Sequence, residues 1–180
     1  MRRLESMGGK AGLAASFQNS KTMLTDTEKD ILDVTCGGRM MWFDKYHPDV
    51  LFADIREEEH TLCDGRRFTV APDVIADFRE LPFESERFKL VVFDPPHLDR
   101  VGENSFMYKK YGSLAFDWRT HIRQGFHECM RVLQPRGVLV FKWNETQVAL
   151  SEVLDVIPYK PLFGHTSGNE GKTKWMTFIK

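Results

Sequence analysis

Near the middle of the chain, Asp94-Pro95-Pro96-His97 combines an acid, two rigid residues and an imidazole. A carboxylate followed by backbone held stiff by proline can accept hydrogen bonds from an amine in a fixed direction. Asp33-Val34-Thr35-Cys36-Gly37-Gly38 closes an earlier apolar run with an acid and a glycine pair. Glycines after a strand let the backbone turn tightly and approach a ligand closely. Asp54 closes a second run, about twenty residues after Asp33, the offset at which an acid meets ribose hydroxyls in nucleoside-binding folds. Asp77-Phe78 closes a third. An acid with an apolar ring can grip an adenine, the carboxylate on its exocyclic amine and the ring on its face. Together these endings describe an adenosine-shaped pocket with a further acid, Asp94, beside it.

The endings converge only if the runs before them are neighbouring strands. Leu90-Val91-Val92-Phe93 is apolar without alternation, as expected of a strand buried on both faces. Pro95 and Pro96 cannot continue a ladder, so the strand stops and delivers Asp94 to the carboxyl edge of a sheet, where open α/β folds bind ligands. Residues 31–35, 50–53, 72–77, 88–93 and 137–141 read as five strands, the fifth running out at Lys142. Residues 156–163 and 174–179 read as two last strands, close enough to pair antiparallel. Residues 39–45 are expected to begin a short helix. Helical spacing of Ile122, Phe126, Cys129 or Met130 and Leu133 predicts a helix over 118–133, N-capped by Asp117 and ended by Gln134-Pro135-Arg136-Gly137. Residues 147–155 predict another. Asp64-Gly65 between short apolar segments predicts a type I′ hairpin inserted before the third strand.

With 180 residues the chain can form one domain, expected over 24–180. Residues 1–23 lack periodicity and carry Gly8, Gly9 and Gly12, which predicts a flexible tail. No stretch approaches the length of a transmembrane helix, and Arg2 and Arg3 are not followed by a long apolar segment. Cys36, Cys63 and Cys129 form no C-x-x-C pair, which leaves a metal site without support and suits a reducing cytoplasm. The net charge of −1 hides an asymmetry: 15 acids to 8 Lys and Arg over 31–99, against 7 to 12 over 100–180. Tyr108, Lys109 and Tyr111 interleave aromatic and basic side chains, with Trp118 and Lys142 further on. Such a patch suits base stacking and phosphate contact in a small nucleic-acid footprint, or else a lid packed on its own rings. The oligomeric state is not written in these features.

The order of glycine turn, acid-tipped second strand, acid-tipped third strand and Asp-Pro-Pro-x after the fourth resembles class I S-adenosylmethionine-dependent methyltransferases. Val91-Val92-Phe93-Asp94-Pro95-Pro96-His97-Leu98 and Lys160-Pro161-Leu162-Phe163-Gly164-His165 resemble more narrowly the small stand-alone methyltransferases of phages and bacteria. The resemblance implies a Rossmann-like three-layer sandwich with a mostly parallel seven-stranded sheet, its last strand antiparallel between two parallel ones. It implies S-adenosylmethionine as cofactor. Asp33, Thr35, Cys36, Gly37 and Gly38 would lie at its methionine end, Asp54 with Ile55 at the ribose, and Asp77 with Phe78 at the adenine. It places Asp94, Pro95, Pro96 and His97 on the acceptor side, where methyltransferases of exocyclic nucleobase amines or glutamine amides carry Asp/Asn-Pro-Pro-aromatic. The chain departs from the family in its Thr-Cys-Gly-Gly turn and in having His97 where a Tyr, Phe or Trp is usual. The expected chemistry is in-line methyl transfer to an amine held by the Asp94 carboxylate and the Pro95 carbonyl, with His97 flanking the acceptor or relaying its proton. A nucleobase in DNA or RNA is the first acceptor class; a protein amide, a small molecule, or a cofactor-binding module without catalysis are the others. Asp-Pro-Pro-His has no role in hydride transfer, which sets a Rossmann oxidoreductase aside.

Overall fold

Val50–Asp54 (β2) is buried at every position and Phe88–Phe93 (β6) at four of six. Unalternating β-branched and aromatic side chains suit parallel strands covered on both faces. The computed structural model describes residues 29–62, 64–102, 105–114 and 116–180. The flexible tail expected over 1–23, and Cys63, lie outside them.

In chain order the strands are Ile31–Asp33 (β1), β2, Glu58–Thr61 (β3), Arg67–Val70 (β4), Val74–Ile75 (β5), β6, Leu133–Asn144 (β7), Phe163–Ser167 (β8) and Thr173–Ile179 (β9). The helices are Phe106–Tyr111 (α1), Trp118–Val132 (α2) and Leu150–Val156 (α3). The main sheet has seven strands in the order β5-β2-β1-β6-β7-β9-β8, with β3-β4 as a separate hairpin. Neighbours from β5 to β7 pair parallel; β9 runs antiparallel to both β7 and β8. This is the mixed sheet expected from the resemblance. Among the described residues no helix is long and apolar enough to cross a membrane.

Side chains alternate across β2, and the two faces are covered differently. Leu51 and Ala53 join Val91, Phe93, Leu139 and Phe141 in the main core, where Ile122, Phe126 and Cys129 of α2 and Val153 of α3 pack. Val50 and Phe52 face the other way, and Trp42 meets Phe52 edge-on at 5.3 Å. The helix expected over 39–45 is absent; the segment is a series of turns. Arg39 has φ 53, a left-handed value that breaks a helix. Its guanidinium bonds the carbonyls of Lys45 and Ala71, each at 2.8 Å, and Asp73 at 2.9 Å, and lies over the Phe52 ring. Those tertiary bonds hold the turns in place of a helical ladder.

Other boundaries move for local reasons. The sixth strand begins at Phe163 instead of ending there, because Pro158 and Pro161 carry no N–H for a ladder. The third strand shrinks to Val74–Ile75. β7 follows α2 without a loop; residues 134–137 form an irregularity inside the strand, where the register to β6 shifts and Arg136 has φ 66. Asp117 occupies the N-cap of α2 without a side-chain cap bond. The hairpin turn is bracketed by Leu62 and Arg66, one residue longer than a type I′ turn, with Gly65 at φ 81. α1 was not expected: Ser105 accepts from the Tyr108 N–H at 3.1 Å to start it, and Gly112 at φ 71 ends it.

Candidate active site

The turn after β1 is stitched to both neighbouring strands. Val34 N–H donates to the Val92 carbonyl at 3.1 Å and Cys36 N–H to the Ala53 carbonyl at 2.9 Å. Beneath the turn, fully buried Asp33 accepts from the Thr35 N–H at 3.2 Å and the Trp42 indole N–H at 2.7 Å. Burial pushes its carboxyl up to about 7, against the pull of those two donors. Asp33 therefore supports the glycine turn from below and forms no part of the cavity wall.

Asp54 joins β2 to the same turn. Its Oδ2 accepts from the Gly37 N–H at 2.9 Å, and its Oδ1 from the Arg56 N–H at 3.0 Å and Nε at 3.3 Å. A carboxylate has about four lone-pair sites, so one remains for a ligand hydroxyl. Gly37, at φ 48, turns the backbone into this bond.

Register carries the acceptor side. Val92 pairs with Val140 and Phe93 with Phe141, so the next residues, Asp94 and Lys142, stand side by side. Lys142 Nζ donates to Asp94 Oδ2 at 2.5 Å, and the Asp94 N–H to Thr35 Oγ1 at 3.0 Å. Burial raises the Asp94 carboxyl above the usual range, and the Lys142 charge opposes it. His97 is 8% exposed, its ring 5.6 Å from Tyr111 and 6.4 Å from Trp143. Burial, then the Lys142 charge, pushes its imidazole down to about 4, against a hydrogen bond to the Pro95 backbone. At neutral pH His97 is uncharged. The loop beyond is tied down as well: Gln147 Oε1 accepts from the N–H groups of Asp99 and Arg100, and the Ser113 hydroxyl donates to the Leu98 carbonyl.

One cavity of about 560 Å³ runs along this edge. Its walls contain Thr35, Cys36, Gly37 and Gly38 of the turn, Asp54 and Ile55 at the tip of β2, and Phe78. Asp94, Pro95, Pro96 and His97 line it too, with Tyr108, Tyr111 and Lys142. Four expected site residues do not line it. Asp33 lies below. Asp77 is turned onto Arg79, which holds its carboxyl below the usual range and also reaches His121. Lys109 meets the site through its carbonyl, which accepts from Arg56. Trp118 is buried in the core with its ring centroid 6.5 Å from that of Trp143. Met40, Met41, Arg56, Glu58 and Ser113 line the cavity without having been singled out. Arg56 had a signal: Asp54-x-Arg56, Asp64-x-Arg66 and Asp77-x-Arg79 all form the same turn, with the aspartate accepting from the N–H two residues on. Burial pushes the Cys36 thiol far up, so it stays protonated and offers no nucleophile.

This fold recurs in solved structures. The PH0226 protein from Pyrococcus horikoshii OT3 superposes with a TM-score of 0.55 at 14% identity, over 83% of this chain and 80% of that one. TrmN from Thermus thermophilus gives 0.54 at 13%, over 85% of this chain and 44% of that one. The Burkholderia thailandensis 1,6-didemethyltoxoflavin-N1-methyltransferase, solved with 1,6-didemethyltoxoflavin and S-adenosylhomocysteine, gives 0.48 at 15%, over 83% and 70%. No sequence-family model and no curated protein matches the chain. At these identities the first two likenesses establish the fold alone, a Rossmann-like α/β fold with a mostly parallel seven-stranded sheet. This chain spans less than half the length of TrmN.

Proposed function

We propose that this chain is an S-adenosylmethionine-dependent methyltransferase acting on an exocyclic amine of a nucleobase. One observation carries the reading: a single cavity joins the glycine turn, the Asp54 tip and Phe78 to the Asp94–His97 tetrad. Its volume falls in the range of small-molecule sites. The walls fit the cofactor. The turn leaves Gly37 and Gly38 without side chains, Asp54 keeps one acceptor site, and Phe78 offers a ring face. Asp77 is engaged by Arg79, so adenine recognition falls to Phe78 and backbone.

When bound, the cofactor supplies a methyl group on a sulfonium, ready for displacement by a nucleophile. An aryl amine is a weak nucleophile because its lone pair is delocalised. Lys142 occupies Asp94 Oδ2, which leaves Oδ1 for one amine N–H. The Pro95 carbonyl bonds the His97 ring and keeps a second lone pair for the other N–H. Two such acceptors turn the amine lone pair toward the methyl and stabilise the positive charge that grows on nitrogen. The Lys142 charge opposes the upward push of burial on the Asp94 carboxyl and so favours its ionised form. Neutral His97 flanks the acceptor as a ring and does not begin the reaction as a cation.

The test is a methyl-transfer assay with tritiated cofactor against DNA, RNA, protein and small amines. Label on nucleic acid, released as an N-methylated base, is the expected result. Label on protein glutamine or a small molecule would move the acceptor. Tight cofactor binding with no transfer to any of them would leave a binding module.

A further inference from the structure

A second cavity, of about 470 Å³, opens beside the first and shares Gly37, Gly38, Met40 and Lys110 with it. One wall is the β3–β4 hairpin and the other is the turn segment that replaces a helix after β1. Among the described residues, the charged ones lining it are Arg39, Lys45, Arg66, Arg67 and Lys110, and no acid lines it. The 31–99 half is acidic as a whole, yet four of its eight Lys and Arg gather on this one cleft. The acids that pair with three of them do not line it: Asp73 on Arg39, Asp64 on Arg66 and Glu59 on Arg67. The Asp64 and Glu59 pairs are solvent-exposed, and exposed pairs hold weakly enough to be exchanged for a phosphate. Lys45 and Lys110 make no ion pair among the described residues. Tyr46, also lining the cleft, is 85% exposed, and nearby Phe43 is exposed too.

The cleft is preformed. Phe68 of the hairpin is buried with Leu62 and Val70 and seats so close to Gly38 that a Cβ there would lie 2.5 Å from its ring. The hairpin thus packs directly on the glycine turn. A cationic groove with an exposed aromatic ring, joined to the first cavity at the glycine turn and Lys110, matches how single strands are held: phosphates on the cations, a base on the ring.

We infer that the hairpin cleft holds the phosphodiester backbone of a single-stranded segment flanking the methylated nucleotide. This rests on the nucleobase reading above. It makes the inserted hairpin the polynucleotide-binding element of the chain.

The experiment is fluorescence anisotropy of a labelled single-stranded oligonucleotide across a salt series, with wild type, Lys45→Ala/Arg67→Ala and Tyr46→Ala. S-adenosylhomocysteine binding is measured in parallel by calorimetry. Removing one cation from a phosphate reduces the log–log salt slope by about 0.7, so the double variant is expected to fall by about 1.4 and bind at least about tenfold more weakly. Tyr46→Ala is expected to bind about fivefold or more weakly with an unchanged slope. Cofactor affinity stays at the wild-type value in both. If wild type binds and methylates the oligonucleotide but the variants keep its slope and affinity, the cleft is overturned and the nucleobase reading stands. If wild type binds cofactor but no oligonucleotide, the cleft is overturned, and the methyl-transfer assay decides the nucleobase reading.

Discussion

Asp94 and Lys142 form a half-buried pair whose members depend on each other. Asp94→Ala is expected to abolish methyl transfer while leaving S-adenosylhomocysteine affinity within a few-fold, checked by turnover and calorimetry; loss of cofactor binding would refute that division. Lys142→Met removes the charge that opposes the burial of Asp94. Its carboxyl then titrates at higher pH, and the acid limb of the kcat profile moves up; an unmoved limb would show that Asp94 does not act as the ionised acceptor. Asp33 offers a separate test through stability. Its folded value of about 7 stands above its ordinary 3.8, so the folded state holds a proton the unfolded chain has released. Stability from that proton is complete below about 3.8 and is lost as pH rises through about 7. His97, lowered to about 4, acts oppositely: its contribution is present above 6.5 and is lost as pH falls through about 4. The two partly cancel in wild type. In Asp33→Asn the Asp33 part disappears, so the stability difference between variant and wild type shifts in the variant's favour from about pH 4 to about pH 7. Urea denaturation over that range reads it, and a difference that does not vary with pH would place the proton elsewhere.

Among the elements, α2 matters to the site through a residue with no side chain. A Cβ at Gly125 would lie 2.6 Å from Phe78 and 2.8 Å from Phe93, two rings whose centroids are 5.2 Å apart. Gly125→Ala is expected to overpack that junction, costing about 1–3 kcal/mol in denaturant unfolding, and to weaken cofactor binding by displacing Phe78. A variant as stable as wild type would mean the rings yield freely. Nothing in the sequence marked Gly125, because its role is set by rings from β6 and the loop after β5. The strands were legible for the opposite reason. Runs such as Val50–Asp54 and Phe88–Phe93 state their burial in consecutive residues, and the prolines after Asp94 state where one stops. The tips of β1, β2 and β6 followed, with Gly37, Asp54 and Asp94 on one edge. What local pattern could not show was tertiary. Arg39 trades a helical turn for bonds to Ala71 and Asp73, Lys142 reaches Asp94 across a strand pair, and Asp77 is taken by the arginine two residues on. Trp118, expected with the aromatic and basic residues at the substrate, lies in the core.

For the whole molecule, the site is built from loops that hold one another. Asp54 clamps the glycine turn, Asp33 supports it, Phe68 presses the hairpin onto it, and Gly112 of the segment after α1 lies within 3.4 Å of Pro96 for an added Cβ. A ligand that bridges these loops stabilises them together and so acts on global unfolding. S-adenosylhomocysteine at about 100 times its Kd adds about 2.7 kcal/mol to the folded state if it does not bind the unfolded chain. For a domain of this size that raises Tm by roughly 5–11 °C. Asp54→Ala removes the remaining ribose acceptor and the clamp on Gly37, weakening cofactor affinity by about 1–3 kcal/mol. At the same ligand concentration a tenfold weaker site gives roughly half the stabilisation. Its own unliganded Tm separates the effect of the missing clamp from that of the missing ribose acceptor. Differential scanning calorimetry of wild type and Asp54→Ala, each with and without ligand, measures all four values. An equal ligand shift in both proteins would remove Asp54 from cofactor binding and leave it a structural clamp.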